Sequence, residues 1–157
     1  MAPGGYHGRY LEVDLSTGLV HTHALPERDL RRFLGGSGLG TWLLLKHAPA
    51  GFDPLGPGAP LVFALSPLVG SPLTTSAKFA IVSKSPLTRR INDALSSDRF
   101  AIELKRAGLD ALVITGQAPD WCVLVIDDGE VRLEPAAQLV GRSVAQAETM
   151  LYEAHGA

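Results

Sequence analysis

The groups best suited to chemistry lie between Thr74 and Lys105. Lys78, Lys84, Arg89, Arg90 and Arg99 share this stretch with Thr88, Ser96 and Ser97. Ammonium, guanidinium and hydroxyl groups are the donors that hold phosphate and other anions. Ser96-Ser97-Asp98 also stands directly before a predicted helix, whose first free N–H groups would add to such a site. A plainer alternative is that Ser97 or Asp98 only caps that helix and the arginines line a solvated face.

Other chemistries are less well supplied. Thr75-Ser76-Ala77-Lys78 pairs a hydroxyl with a lysine three residues on, but on a strand such residues face opposite sides. His21 and His23 share a strand face at a spacing that suits metal, yet no third ligand is adjacent, and an exposed strand face is the simpler reading. The remaining histidines, His7, His47 and His155, are scattered. Glu103 and Asp110 are too isolated for an acid–base pair, and Cys122 beside Trp121 reads as a small core residue.

The elements that would position these groups follow from periodicity. Leu11 and Val13 alternate with Glu12 and Asp14, Ser16-Thr17-Gly18 gives a turn, and residues 19–23 return as the second arm of a hairpin. Residues 27–34 switch to helical spacing through Leu30, Phe33 and Leu34, with Gly35 as terminator. The run Gly35-Gly36-Ser37-Gly38-Leu39-Gly40 fits neither the dinucleotide fingerprint nor a P-loop, because its spacing is wrong and a helix precedes it. It reads as a turn between helices in which glycines let backbones pack closely, and residues 39–46 form the second helix.

Residues 48–58 are loop. Residues 60–65, 78–83, 110–115 and 121–126 read as strands, and residues 98–107 as a helix with Phe100, Ala101, Leu104 and Ala107 on one stripe. Asp127-Asp128-Gly129 turns the last hairpin back through residues 131–133. Ser143 and Gln146 form a capping box for a final helix, with Val144, Ala147 and Leu151 inward. The sum is one mixed α+β unit.

Composition bounds the function. With 14 basic and 16 acidic residues among 157, the net charge of −2 gives no basic footprint for nucleic acid. The most apolar stretch, residues 59–73, is broken by Pro60, Pro67, Gly70 and Pro72, so it is no spanning helix of ~20 residues. The start of the chain lacks the pattern of a secretory signal, and a cytoplasmic setting is expected. One cysteine cannot build a disulfide framework or a multi-cysteine metal site.

Gly8-Arg9-Tyr10-Leu11-Glu12-Val13-Asp14-Leu15-Ser16-Thr17-Gly18 resembles the opening of the aldehyde ferredoxin oxidoreductase family. Phe33-Leu34-Gly35-Gly36-Ser37-Gly38-Leu39-Gly40 is similar to its next block. Asp53-Pro54-Leu55, Leu68-Val69-Gly70 and Lys84-Ser85-Pro86-Leu87-Thr88 follow in the family's order. Glu103-Leu104-Lys105-Arg106-Ala107-Gly108-Leu109-Asp110-Ala111-Leu112-Val113-Ile114 and Gly116 complete the resemblance, which runs from about residue 8 to about residue 150.

This resemblance implies a fold of two β-sheets with short helices, forming a base for two metal-bound pterins. It implies an enzyme that oxidises aldehydes with tungsten, or molybdenum, and passes electrons through a 4Fe-4S cluster to ferredoxin. A magnesium ion bridges the pterin phosphates in such enzymes. By position, Lys78 takes the place of a basic residue between pterin and cluster. Leu95 falls where a backbone carbonyl reaches magnesium, and Ser97 where the chain meets a phosphate, with Ser96 and Arg99 in the same loop.

The departures also matter. Lysine at 78 keeps the charge but lacks the planar fork of arginine. Leu95-Ser96-Ser97-Asp98 replaces a glycine-bearing turn common in the family, and Asp98 would repel a phosphate. The cluster's four cysteines lie beyond this domain in the family, and Cys122 cannot replace them. The expectation is therefore an N-terminal metallopterin-binding domain over residues 1–157, shortened at its C-terminus relative to the family. It would be completed by a C-terminal portion or a separate cysteine-rich subunit, with a homodimer as a further expectation. The alternative is a stand-alone, non-catalytic interaction module or a remnant of such an enzyme.

Overall fold

Alternating side chains and a glycine at φ +71° make the first hairpin: β1 (Arg9–Asp14) pairs antiparallel with β2 (Leu19–Ala24). The computed structural model describes residues 4–127 and 129–156. In chain order there follow α1 (Glu27–Phe33), α2 (Gly36–His47), β3 (Leu61–Leu65), β4 (Lys78–Lys84), β5 (Ile91–Ser97), α3 (Arg99–Arg106) and β6 (Ala111–Thr115). The last elements are β7 (Cys122–Asp127), β8 (Glu130–Pro135), a 3-10 turn (Ala137–Leu139) and α4 (Val144–His155). The architecture is α+β with two sheets, as expected. Its contacts divide into two compact units, one through Gln117 and one from Ala118 onward, where the sequence reads as a single unit.

The first unit is a six-stranded sheet in the order β2-β1-β6-β3-β4-β5. Only β1 and β6 run parallel; every other pairing is antiparallel. The central strands are fully covered on one face and partly covered on the other. On one face Leu39, Leu43 and Leu44 of α2 pack on Tyr10, Val62, Ala64, Ala80, Val82, Ala111 and Val113. Each leucine removed from water there contributes roughly 1.5–3 kcal/mol. On the other face Phe100 of α3 meets Phe63 and Phe79, with ring centroids 5.4 and 5.1 Å away.

The glycine run is a packing device, as read. A side chain at Gly35 would come within 2.5 Å of the Leu65 carbonyl oxygen, and one at Gly40 within 2.5 Å of a Val82 methyl. The helix α2 starts three residues earlier than the apolar pattern suggests and includes Gly36, Gly38 and Gly40. The reversal after α1 falls on Leu34, at φ 59°, rather than on Gly35.

Asp110 is not isolated, contrary to the sequence reading. It is 1% exposed, accepts hydrogen bonds from the His7 and Gly8 N–H groups at 3.1 and 2.6 Å, and pairs with Lys105 Nζ at 2.6 Å. A buried carboxylate needs such partners, and these pin the segment before β1 to the start of β6.

In the second unit β7 and β8 form a hairpin in which Asp127 faces Glu130, so the connection is two residues long. Gly129 there has φ 89°, and Asp128 lies outside the described residues. The capping box of α4 is present in both directions, Ser143 with Gln146. Val144, expected to point inward, is 86% exposed, in keeping with so small a unit, where no described residue of α4 is buried.

Candidate functional site

The expected anion-binding residues do not form a loop. Leu95, Ser96 and Ser97 belong to β5, the outer strand of the large sheet, and every residue of that strand is exposed. Ala94 and Leu95 sit side by side between the polar pairs Asn92-Asp93 and Ser96-Ser97, and the strand pairs on one side only. Asp98 is the helix cap, its side chain accepting from the Arg99 N–H, so the cap alternative holds for Asp98 and not for Ser97.

Strand geometry sorts the candidates. Ser97 stands opposite Lys78, and Lys78 Nζ donates to Ser97 Oγ at 3.1 Å. Among the described residues Lys78 has no carboxylate partner, which leaves two ammonium protons for an anion. Ser96 stands opposite Phe79, so its hydroxyl projects to the other face. Arg99 turns along its own helix, with Nε 3.2 Å from Glu103 Oε1. That contact, with Arg106 at 3.0 Å, holds the Glu103 carboxyl below the usual carboxylate range. The structure thus brings Lys78 and Ser97 together and directs the Ser96 and Arg99 side chains elsewhere.

The backbone contributes as well. Asp98 N–H bonds to the Ala77 carbonyl and Ser85 N–H to the Arg90 carbonyl. Antiparallel pairs alternate, so the pairs 80–95 and 78–97 between those bonds are of the kind that turn their N–H and C=O away from each other. The Leu95 carbonyl and the Ser97 N–H therefore point out of the sheet edge. An outward carbonyl is a hard oxygen ligand of the sort magnesium takes, and an N–H beside a hydroxyl and an ammonium suits phosphate. The residues present fit a magnesium–phosphate group at this edge.

One polar cluster escaped the sequence reading. Glu12 lies between His23 Nε2, at 2.6 Å, and His47 Nδ1, at 3.1 Å. His47 Nε2 is 2.9 Å from the hydroxyl of Tyr10, which also accepts from Lys46 Nζ at 2.9 Å. His23 is thus no simple exposed strand residue; it stacks on Tyr10 with centroids 4.9 Å apart. The shared face of Tyr10, Glu12 and His23 is legible from alternation, whereas the arrival of His47 depends on how α2 crosses the sheet. No group of three His, Cys, Asp or Glu residues among those described is arranged to hold a metal ion. In the second unit an open groove of about 590 Å³ between β7 and α4 is lined mainly by aliphatic residues such as Val125 and Leu151. No helix among the described residues is long and apolar enough to cross a membrane.

Comparison with known proteins places these features in context. Residues 10–157 match the family described as "Aldehyde ferredoxin oxidoreductase, N-terminal domain". A tungsten-containing aldehyde ferredoxin oxidoreductase of Pyrococcus horikoshii is 36% identical over 152 residues, covering 97% of this chain and 25% of its own length. The WOR-like subunit of an aliphatic sulfonate oxidoreductase from Pyrococcus furiosus is 34% identical, covering 96% of this chain and 24% of itself. Among solved structures, the active-site complex BamBC of benzoyl coenzyme A reductase, bound to 1,5-dienoyl-CoA, contains a chain matching at a TM-score of 0.91. That match has 29% identity and covers 96% of this chain and 23% of the other. The chain thus spans about a quarter of the length of the curated relatives it matches.

Proposed function

This chain belongs to the aldehyde ferredoxin oxidoreductase family through its N-terminal domain, and from that premise we propose that it is the metallopterin-holding part of a tungsten, or molybdenum, oxidoreductase. The observation that carries the proposal is the Lys78–Ser97 pair at the open edge of β5, where the resemblance in sequence would put a phosphate of the pterin. Lys78 would neutralise phosphate charge, Ser97 would bind it through Oγ and N–H, and the Leu95 carbonyl would face magnesium. Arg99 would contribute through the wider positive field, whereas Ser96, whose backbone pairs with Phe79, would only hold the strand in place. When bound, the metal–pterin group supplies two-electron oxidation, and this chain's residues hold and orient it.

The relatives bear names that differ in substrate: aldehyde, aliphatic sulfonate and benzoyl coenzyme A. A domain shared by all three suits a task common to them, which is support of the cofactor. Aldehyde oxidation with transfer to a 4Fe-4S cluster and ferredoxin is the reaction proposed for the whole enzyme. A cluster held by four thiolates takes its ligands from outside this chain, which has Cys122 alone. The partner is therefore the rest of the enzyme, covalent or as a cysteine-rich subunit, and the assembly is proposed to be a cytoplasmic homodimer.

The test is purification of the protein from its own source, with native mass spectrometry, metal analysis and assay of pterin after oxidation to its fluorescent form. The expected result is this sequence within a polypeptide or complex about four times its size, carrying tungsten or molybdenum and pterin. A small chain recovered alone, without metal or pterin, would overturn the proposal and leave the interaction module or remnant.

A further inference from the structure

The cluster around Glu12 has a fixed proton arrangement. Lys46 Nζ can only donate, so its contact at 2.9 Å makes the Tyr10 oxygen an acceptor. The Tyr10 proton is then free to point at His47 Nε2, 2.9 Å away, which must be bare to receive it. His47 consequently carries its proton on Nδ1 and donates it to Glu12 Oε1. His23 Nε2 donates to the other carboxylate oxygen. The sequence of donors is Lys46 to Tyr10 to His47 to Glu12, with His23 arriving from the opposite side.

A second proton on His47 breaks this order. Its Nε2–H would confront the Tyr10 hydroxyl, whose hydrogen would have to turn away inside a site where Tyr10 is 0% exposed. It would also place a second positive charge among Lys46, on the same helix, and His23 and His21 on β2, whose ring centroids lie 6.2 Å apart. Among the described residues Glu12 on β1 is the one carboxylate in contact with His23 and His47. One carboxylate balances one cation.

We propose that Tyr10, Glu12, His23 and His47 form an acid-operated latch that fastens the end of α2 to the first hairpin and releases it when His47 takes up a second proton. His47 is the last residue of α2, and Ser37 near the other end of the same helix bonds to Asp93 of β5. The helix therefore spans the sheet face from the latch to the exposed strand. Release loosens the terminal turn of α2 and the loop after it.

The sign follows from the environment. Burial, first, and then Lys46 and His23 hold the His47 imidazole below its ordinary value of 6.5, against the opposing pull of Glu12. The closed latch thus binds fewer protons than the open one. Its stability is complete above the ordinary imidazole range and declines as pH falls below 6.5 toward the lowered value. Over that interval the opening equilibrium rises by up to about tenfold per pH unit for one proton.

The experiment uses the complete polypeptide in whatever assembly it occupies. Amide hydrogen exchange is read by mass spectrometry on peptides covering residues 41–52, corrected for intrinsic rates, between pH 7.5 and 5. Exchange of the imidazole C2 hydrogen in the same samples titrates His47 itself. The expected result is a loss of protection in this peptide of up to about tenfold per pH unit below 6.5, with His47 titrating below 6.5. In His47→Gln, whose amide can accept from Tyr10 and donate to Glu12 without titrating, the loss is expected to disappear. In Tyr10→Phe, which removes the donor facing Nε2, His47 is expected to titrate higher than in the parent. Protection that is flat with pH in the parent would overturn the latch, as would stabilisation of the same peptide by added zinc, which would mark the cluster as a metal site. These readouts do not depend on pterin or activity, so the latch and the proposed function fail separately.

Discussion

At the scale of residues, alternation on a strand separates neighbours that look equivalent in sequence. Ser96 and Ser97 are adjacent, yet Ser97 meets Lys78 and Ser96 projects beside Phe79. The proposed function therefore makes unequal demands on them. In the assembled enzyme Lys78→Met and Ser97→Ala are expected to lower bound pterin and tungsten, whereas Ser96→Ala leaves both near the parent level. A hydrogen bond to a charged group is worth about 1.5–3 kcal/mol, so losing the lysine should reduce affinity roughly tenfold or more. Metal and pterin content per polypeptide check this, and equal loss from both serine variants would overturn the assignment by face.

At the scale of elements, close approach of backbones decides where glycine is required. Gly35 caps α2 against the turn after β3, where an added Cβ would meet the Leu65 carbonyl at 2.5 Å and the Pro67 ring at 2.8 Å. Neither neighbour is the end of a flexible side chain. Gly36 has open space but φ 52°. Gly35→Ala is expected to cost about 1–3 kcal/mol through overpacking, and Gly36→Ala about 1 kcal/mol through backbone strain alone. Urea unfolding midpoints of the two variants measure the difference. A Gly35→Ala variant as stable as the parent would show that α2 docks more loosely than the contacts imply.

At the scale of the whole molecule, stability is uneven. Nearly all the buried apolar side chains lie in the unit through Gln117, and among the described residues from Ala118 onward only Ala136 is buried. A two-stranded hairpin with one helix buries little apolar surface, and hairpins of that size are marginal in water. Limited proteolysis of this 157-residue chain is expected to cut within residues 118–156 before it cuts β3, β4 or β6, with fragments identified by mass. Early cleavage inside β6 would contradict that order.

Legible in the sequence by itself were the first and last hairpins, the helices apart from the early start of α2, the close packing at the glycine run and the family to which the chain belongs. These rest on local periodicity, turn chemistry and ordered motifs, which act over a few residues and so remain readable along the chain. It did not reveal β5, since a strand exposed on both faces has no alternation of apolar and polar residues to announce it. Nor could it reveal the meeting of His47 with Glu12, 35 residues apart, or of Asp110 with the N–H groups of His7 and Gly8. Those contacts exist because a six-stranded sheet brings β1 beside β6 and lays α2 across them. Strand order and helix placement are set by burial of the whole apolar face, a sum over residues distant in sequence, and only the tertiary structure expresses it.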